Sequence, residues 1–382
     1  MRRVVALGGA MLCLVAGCRT PPVGGGEPAP PTPPSIAAFT AAGGPFTEPA
    51  LVPLVWTVSD VNGDDLTCRL DLDGDLTWDE TIPHCQNPGG RTLTPAAGSY
   101  LAILEVTDGT HDPVTSTTTF DVTAGPTESF DIMLRPYAPL APEHQAAFDA
   151  AVAKWEAVLA RGVSELPLSV PAGDCLDGSE AFDETVDDLV IEIAIRPIDG
   201  PGSILGQAGP CYVSTDDWLS RFGVMEFDSA DVASMIADGT FESVIVHEMG
   251  HVLGIGTLWN YQRSLLQGAG GANPLFVGPR ARSAWSELGG NGGVPVENSG
   301  GSGTRDAHWR ESVFAAELMT GYIAAGQNPL SLISVGSLGD LGYHVDPAAA
   351  DPYEVFGAPD VPLAASRAPL GTMLRPPVRP AS

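Results

Sequence analysis

His247 and His251 stand four residues apart in ESVIVHEMGHVLGIG, residues 242–256, with Glu248 directly after the first. On a helix, residues i and i+4 lie one turn apart on the same face, so both imidazoles can reach one metal ion. The carboxylate between them is placed to take a proton from a water that the ion polarises. Such a site needs a third ligand. Gly254 comes three residues after His251, where a helix can end in a left-handed residue and turn the chain sharply. The sixth position after His251 is Thr257, a poor ligand for zinc, so either the site is incomplete or an insertion carries the third ligand elsewhere.

Of the chain's seven histidines, His84 and His111 belong to an earlier segment, His144 starts an early helix, and His344 sits close to the tail. That leaves His308, in RDAHWRESVF. Residues 268–303 carry 11 glycines and read as a surface insertion that returns the chain close to where it left. Met319 follows in ELMTG, and Tyr322 comes three residues later.

The elements that must position these residues fall into two folded segments. Residues 35–124 read as all-β. LVPLVWTVSD, LTCRLDLD, SYLAILEVTDG and TSTTTFDVT are short runs rich in β-branched and aromatic residues, separated by Gly, Asp, Asn and Pro turns. This predicts a small β-sandwich and resembles a PKD-type or related immunoglobulin-like module. Asp71, Asp73 and Asp75 alternate in one acidic turn there and can hold Ca2+ through hard oxygen ligands; a solvated loop tip is the plain alternative. Residues 128–346 read as α/β. SFDIMLRPY, DDLVIEIAIRPIDG and GVMEFDSAD are strand candidates, and Phe148, Val152, Trp155 and Leu159 mark an amphipathic helix. Phe241, Val244 and Ile245 are expected to bury the far side of the histidine helix. Residues 347–382, rich in Pro and Ala, read as a loosely packed or disordered tail.

At 382 residues the chain is long enough for two cores, and its 44% hydrophobic content suits a globular protein. A formal charge of -29 argues against nucleic acid as a partner and against electrostatic docking on anionic lipid. MRR followed by VVALGGAMLCLVAG reads as an export signal over residues 1–18. It ends in VAGC, which resembles a bacterial lipobox with Cys18 as the lipidated residue. Residues 19–34, rich in Pro and Gly, suit a tether between an acyl anchor in the bilayer and a folded domain. The expected location is therefore the outer membrane, facing periplasm or cell surface, as a lipoprotein. Four cysteines remain for the exported part, and pairing Cys68–Cys85 and Cys175–Cys211 keeps each disulfide within one segment.

VIVHEMGHVLGIGTLW, VPVEN, AHWRESVF, ELMTGY and SLGDLGYHVD, with PIDGPGSILGQAGPCYV and GVMEFDSAD, together resemble bacterial leishmanolysins. These are metzincin zinc peptidases with a long insertion between the motif glycine and the third histidine. The resemblance covers residues 128 to about 352. It implies a multidomain chain: the β-sandwich, then an α/β-α metzincin domain with a twisted sheet and an active-site helix. It further implies one catalytic Zn2+ on His247, His251 and His308, Glu248 as general base, and Met319 as the hydrophobic floor of a Met-turn. Tyr322 falls near where some metzincins place a tyrosine to polarise the scissile carbonyl; simple packing is the alternative. The implied function is a zinc metalloendopeptidase that hydrolyses peptide or protein substrates through a zinc-bound water activated by Glu248. The substrate would lie extended along an edge near SILGQAG, residues 203–209. The competing reading is a catalytically silent surface adhesin or scaffold that keeps the fold; the intact Glu248 speaks against it.

Overall fold

The structure, a computed structural model of the whole chain, describes residues 32–86, 89–125, 128–301, 303–324, 326–355, 368–369 and 378–381. The proposed signal, Cys18 and nearly all of the Pro/Gly tether lie outside the described residues.

The alternating runs after residue 34 become eight strands. They are β1 (Ser35–Ala41), β2 (Phe46–Thr47), β3 (Val52–Ser59) and β4 (Thr67–Asp71), then β5 (Glu80–Pro83), β6 (Gly89–Leu93), β7 (Gly98–Thr107) and β8 (Val114–Thr123). Two sheets result, in strand orders β1-β3-β6 and β2-β8-β7-β4-β5. Because strand side chains alternate, Val52, Leu54 and Trp56 of one sheet meet Ala102, Leu104 and Val106 of the other in a single buried cluster. Cys68 and Cys85 lie in that cluster and are bonded to each other.

A second and larger core begins at Phe130. The chain runs through β9 (Ile132–Pro136), α1 (Pro142–Val158), β10 (Leu166–Val170), β11 (Phe182–Val186), β12 (Leu189–Arg196), β13 (Gly206–Ser214) and β14 (Ser220–Asp228). β9 and β14 both pair parallel with β12, while β13 is antiparallel to β14. β12 and β14 are buried almost throughout, which explains why LVIEIAIR reads as a nearly unbroken apolar run. α1 starts with a proline at its first turn, where the missing amide costs nothing, and turns Phe148, Ala151, Trp155 and Val158 inward. Val152 is only half buried; Leu159 is buried but caps the helix instead of belonging to it.

After α2 (Val232–Ala237) comes the histidine helix, α3 (Phe241–Leu253). Every residue from Val244 to Leu253 is buried, not one face alone, because α1 covers one side and β13 and β14 another. Trp155 on α1 donates its indole N–H to the Val246 carbonyl at 2.9 Å, fixing the two helices against each other. Phe148, Phe227 and Phe241 meet edge-to-face where α1, β14 and α3 converge, with centroids 5.4 to 6.0 Å apart.

The glycine-rich insertion is built differently from expectation. β15 (Leu266–Gln267) leads into it, β16 (Leu275–Phe276), α4 (Pro279–Glu287) and β17 (Val294–Pro295) lie within it, and the three strands form one sheet. Phe276, Ala281, Val294 and Val296 are buried in the main core. The insertion therefore does not simply project from the surface; its few apolar residues, spaced between glycine turns, are enough to dock it. Then follow α5 (Glu311–Phe314), β18 (Tyr322–Ile323) and α6 (Leu332–Leu341), the last packed along α4.

The tail is also partly ordered, against expectation. Pro347–Ala349 form a turn of 3-10 helix, β19 (Ala368–Pro369) pairs with β18, and β20 (Arg379–Ala381) pairs parallel with β13. β20 holds because Arg379 reaches the Asp174 carboxylate and lies over the Tyr212 ring, 5.6 Å from its centroid. Edge pairing and one ion pair supply what the Pro-rich composition lacks. Cys175 and Cys211 are bonded to each other beside this edge.

Candidate metal centre

α3 carries His247 and His251 one turn apart, as their spacing requires. Their Nε2 atoms stand 2.9 Å from each other, and that of His308 lies 3.2 Å from His247 and 3.0 Å from His251. His308 reaches them across 57 positions because the insertion is anchored at both ends. Gly254, at φ +120°, closes α3, and Gly256, at φ +75°, packs against the carbonyl of Ala307. Thr257, in the position where a shorter chain would carry the third histidine, donates its hydroxyl to the His251 carbonyl at 2.8 Å. It finishes the helix end.

The other ring nitrogen of each histidine faces a main-chain carbonyl: Leu318 at 2.7 Å from His247, Ile255 at 2.9 Å from His251, and Thr304 at 3.0 Å from His308. A carbonyl only accepts, so each Nδ1 carries the proton and each Nε2 carries a lone pair. Three lone pairs thus point at one another inside a site that water barely reaches; all three residues are at most 1% exposed. Burial and the neighbouring imidazoles hold His247 well below its usual pKa. Burial chiefly takes His251 down to about 3 and His308 to about 4. Protons therefore do not bridge the cluster near neutrality. A divalent cation with a preference for imidazole nitrogen fits this donor set.

Glu248 is 1% exposed, and its Oε2 has no hydrogen-bond partner among the described residues. Burial pushes its carboxyl up to about 8. It faces the start of β13: a Cβ on Gly206 would stand 3.1 Å from both Cγ and Oε1 of Glu248. Met319 is fully buried under α3, where a Cβ on Gly250 would meet its sulfur at 2.8 Å. Trp309 donates its amide to the Met319 carbonyl at 3.0 Å, so the residue after His308 is tied to the same turn. Trp259, Phe276 and Phe314 surround the Trp309 ring and make the wall behind His308 rigid.

Tyr322 directly follows Gly321, where a Cβ would stand 4.0 Å from Cγ of His308. It is half buried at the wall of a cavity of about 310 Å³, beside Glu297, Ser299 and Glu311, and lies in β18. In the β module, the aspartates that converge are Asp71, Asp73 and Asp79, not Asp75, whose carboxylate caps the amide of Thr77 at 2.7 Å. Asp71 accepts from the amides of Gly74 and Leu76 at 2.6 and 2.8 Å, which shapes the loop. Sequence reading missed Glu317, a fully buried carboxylate two residues before Met319. Its presence in ELMTG was visible, but nothing in the spacing marked it as inward-facing.

The site and fold define the class first: a multidomain, strand-rich protein with a buried three-histidine centre able to hold a metal ion. Residues 179–354 match the leishmanolysin family model, peptidase M8, and this stretch holds all three histidines, Glu248 and Met319. The resemblance drawn from the motifs thus holds over that stretch, and it supports a zinc metallopeptidase. No curated protein matches the chain. Among solved structures, the PKD domain of an M14-like peptidase from a Thermoplasmatales archaeon is similar at 19% identity, over 25% of this chain and 98% of that chain, with a TM-score of 0.19.

Proposed function

We propose that the protein is an exported zinc endopeptidase of the metzincin type, with His247, His251 and His308 as ligands and Glu248 as general base. The observation that carries this reading is the convergence of three Nε2 lone pairs, each fixed by an Nδ1–H bonded to a carbonyl. Zinc held there supplies Lewis acidity toward water and toward a peptide carbonyl. Glu248 takes a proton from the attacking water at its carboxylate and returns it to the departing amide nitrogen. Its Oε2 has no hydrogen-bond partner among the described residues, which leaves that oxygen free to take the proton. A peptide paired with the Gly206–Gly209 part of β13 would run past Glu248; β20 pairs only with Tyr212–Ser214, further along the strand. Met319 floors the site, and Tyr322 is a candidate contact to the scissile carbonyl. Both disulfides fit an oxidising compartment, and no helix among the described residues is long and apolar enough to cross a membrane. Anchoring through Cys18 to the outer membrane is read from the signal and tether.

Cleavage of unfolded casein by residues 35–382, beside the same chain with Glu248→Ala, tests the proposal. Phenanthroline-sensitive cleavage should disappear in the variant while one zinc per chain stays bound. A folded protein that takes up no zinc would end the reading.

A further inference from the structure

Glu317 is completely buried and makes no ion pair among the described residues, yet it accepts four hydrogen bonds. Oε2 takes the Met319 amide at 2.6 Å. Oε1 takes the Ser331 amide at 3.1 Å and the hydroxyls of Ser331 and Ser334 at 2.7 and 2.6 Å. A carboxylate buried without a cation is costly, and it is tolerated only when donors surround it. What these donors connect is informative. The bond to Met319 N–H pins the turn whose Leu318 carbonyl receives Nδ1–H of His247. Ser334, besides donating to Glu317, accepts the indole N–H of Trp309 at 2.7 Å, and Trp309 follows His308 directly. The Trp309 amide in turn bonds the Met319 carbonyl. One carboxylate thereby ties together the turn that orients His247 and the segment that carries His308.

From this circuit we infer that Glu317 is a positioning residue for the metal centre, acting through Leu318 on His247 and through Ser334 and Trp309 on His308. The inference rests on the zinc reading above. It requires a carboxylate, not only a polar group of the same size. Glutamine has one acceptor oxygen, and its NH2 would face either the Met319 amide or the Ser331 amide, a donor against a donor. The turn would shift, and Leu318 would lose its hold on His247. Groups that orient a ligand's second nitrogen typically change metal affinity by about 10–100-fold when removed.

Glu317→Gln in the full chain is therefore expected to weaken Zn2+ binding by about 10–100-fold in a competition titration. It should also alter the visible absorption of the Co2+-substituted protein and lower kcat with little change in KM. Ser337→Ala serves as the control, since Ser337 is buried on the same helix and bonds only the Ser334 carbonyl among the contacts seen. It should lower the melting temperature and leave Zn2+ affinity and the Co2+ spectrum as in the parent. If Glu317→Gln does not fold, Ser334→Ala cuts the Trp309 arm alone and is expected to speed Zn2+ release several-fold. A Glu317→Gln or Ser334→Ala protein that folds and keeps the parent's Zn2+ affinity and Co2+ spectrum overturns the positioning role. A parent protein that binds neither metal overturns the zinc reading instead, so the two failures are distinguishable.

Discussion

Each site histidine has its proton committed to a main-chain carbonyl and is held neutral well below its ordinary value of 6.5, chiefly by burial. This has a consequence for stability. Unfolding returns each imidazole to that ordinary value, so between about 6.5 and about 3 the unfolded chain binds more protons than the folded one. The stability is fully present above about 6.5 and is lost as pH falls through about 4 for His308 and about 3 for His251. The melting temperature of the chelator-treated protein should accordingly fall steadily from pH 6.5 toward 4. His308→Ala should have a shallower slope over that range, and it should bind substoichiometric zinc. Equal slopes for the two proteins would mean that His308 is exposed or already charged in the fold.

Among the elements, glycines decide how closely segments approach the centre, and two of them separate chemistry from metal binding. Gly206 faces the flexible end of Glu248, so Gly206→Ala should displace the carboxylate by a few tenths of an ångström and cut turnover on the order of 10-fold, with zinc retained. Gly256 combines φ +75° with a Cβ position only 1.9 Å from the Ala307 carbonyl oxygen, a contact that backbone cannot relieve. Gly256→Ala should cost roughly 1–3 kcal/mol from conformation alone, and it should lose zinc because His308 is displaced with Ala307. Zinc content and casein turnover measured on both variants check this; zinc retained by Gly256→Ala would show that the insertion is not held by this approach. The same elements show what sequence could and could not reveal. The helix with its paired histidines and the buried strands β12 and β14 were legible, because periodicity and unbroken apolar runs report burial directly. Ligand geometry at His308 was reachable only through elimination and family motifs. The folded insertion was hidden because its core contacts come from isolated residues such as Phe276 and Val296, with no period to read. β20 was hidden because its stability comes from Arg379 meeting Asp174 across 205 positions. Glu317 was hidden because a buried carboxylate and a solvated one look alike in sequence.

At the scale of the whole molecule, the β module is docked onto the α/β part, and α4 is the element between them. On one side α4 packs along α6; on the other it meets β3 and β6. Thr92 of β6 gives its amide to Glu287 at 2.5 Å and its hydroxyl to Ser283 at 2.9 Å, and burial raises the Glu287 carboxyl above its usual range. Arg280 binds both parts at once. Its guanidinium donates to the Gly43 carbonyl at 2.8 Å, sits 5.8 Å from the centroid of the Phe46 ring, and lies 3.7 Å from the buried Asp340 carboxylate. Asp340 itself receives the amides of Arg280 and Ala281, both at 3.0 Å, fixing the first turn of α4. Unfolding the β module would therefore strip α4 of one face and expose a carboxylate and an arginine that now share a nearly dry contact. The two parts should unfold together. Calorimetry on residues 35–382 should give one transition whose calorimetric and van't Hoff enthalpies agree. Arg280→Ala removes the shared contact at a cost of about 2 kcal/mol and should resolve a second, lower transition belonging to the β module. Two transitions in the unmodified chain would instead show that the module is carried by the peptidase domain without being stabilised by it.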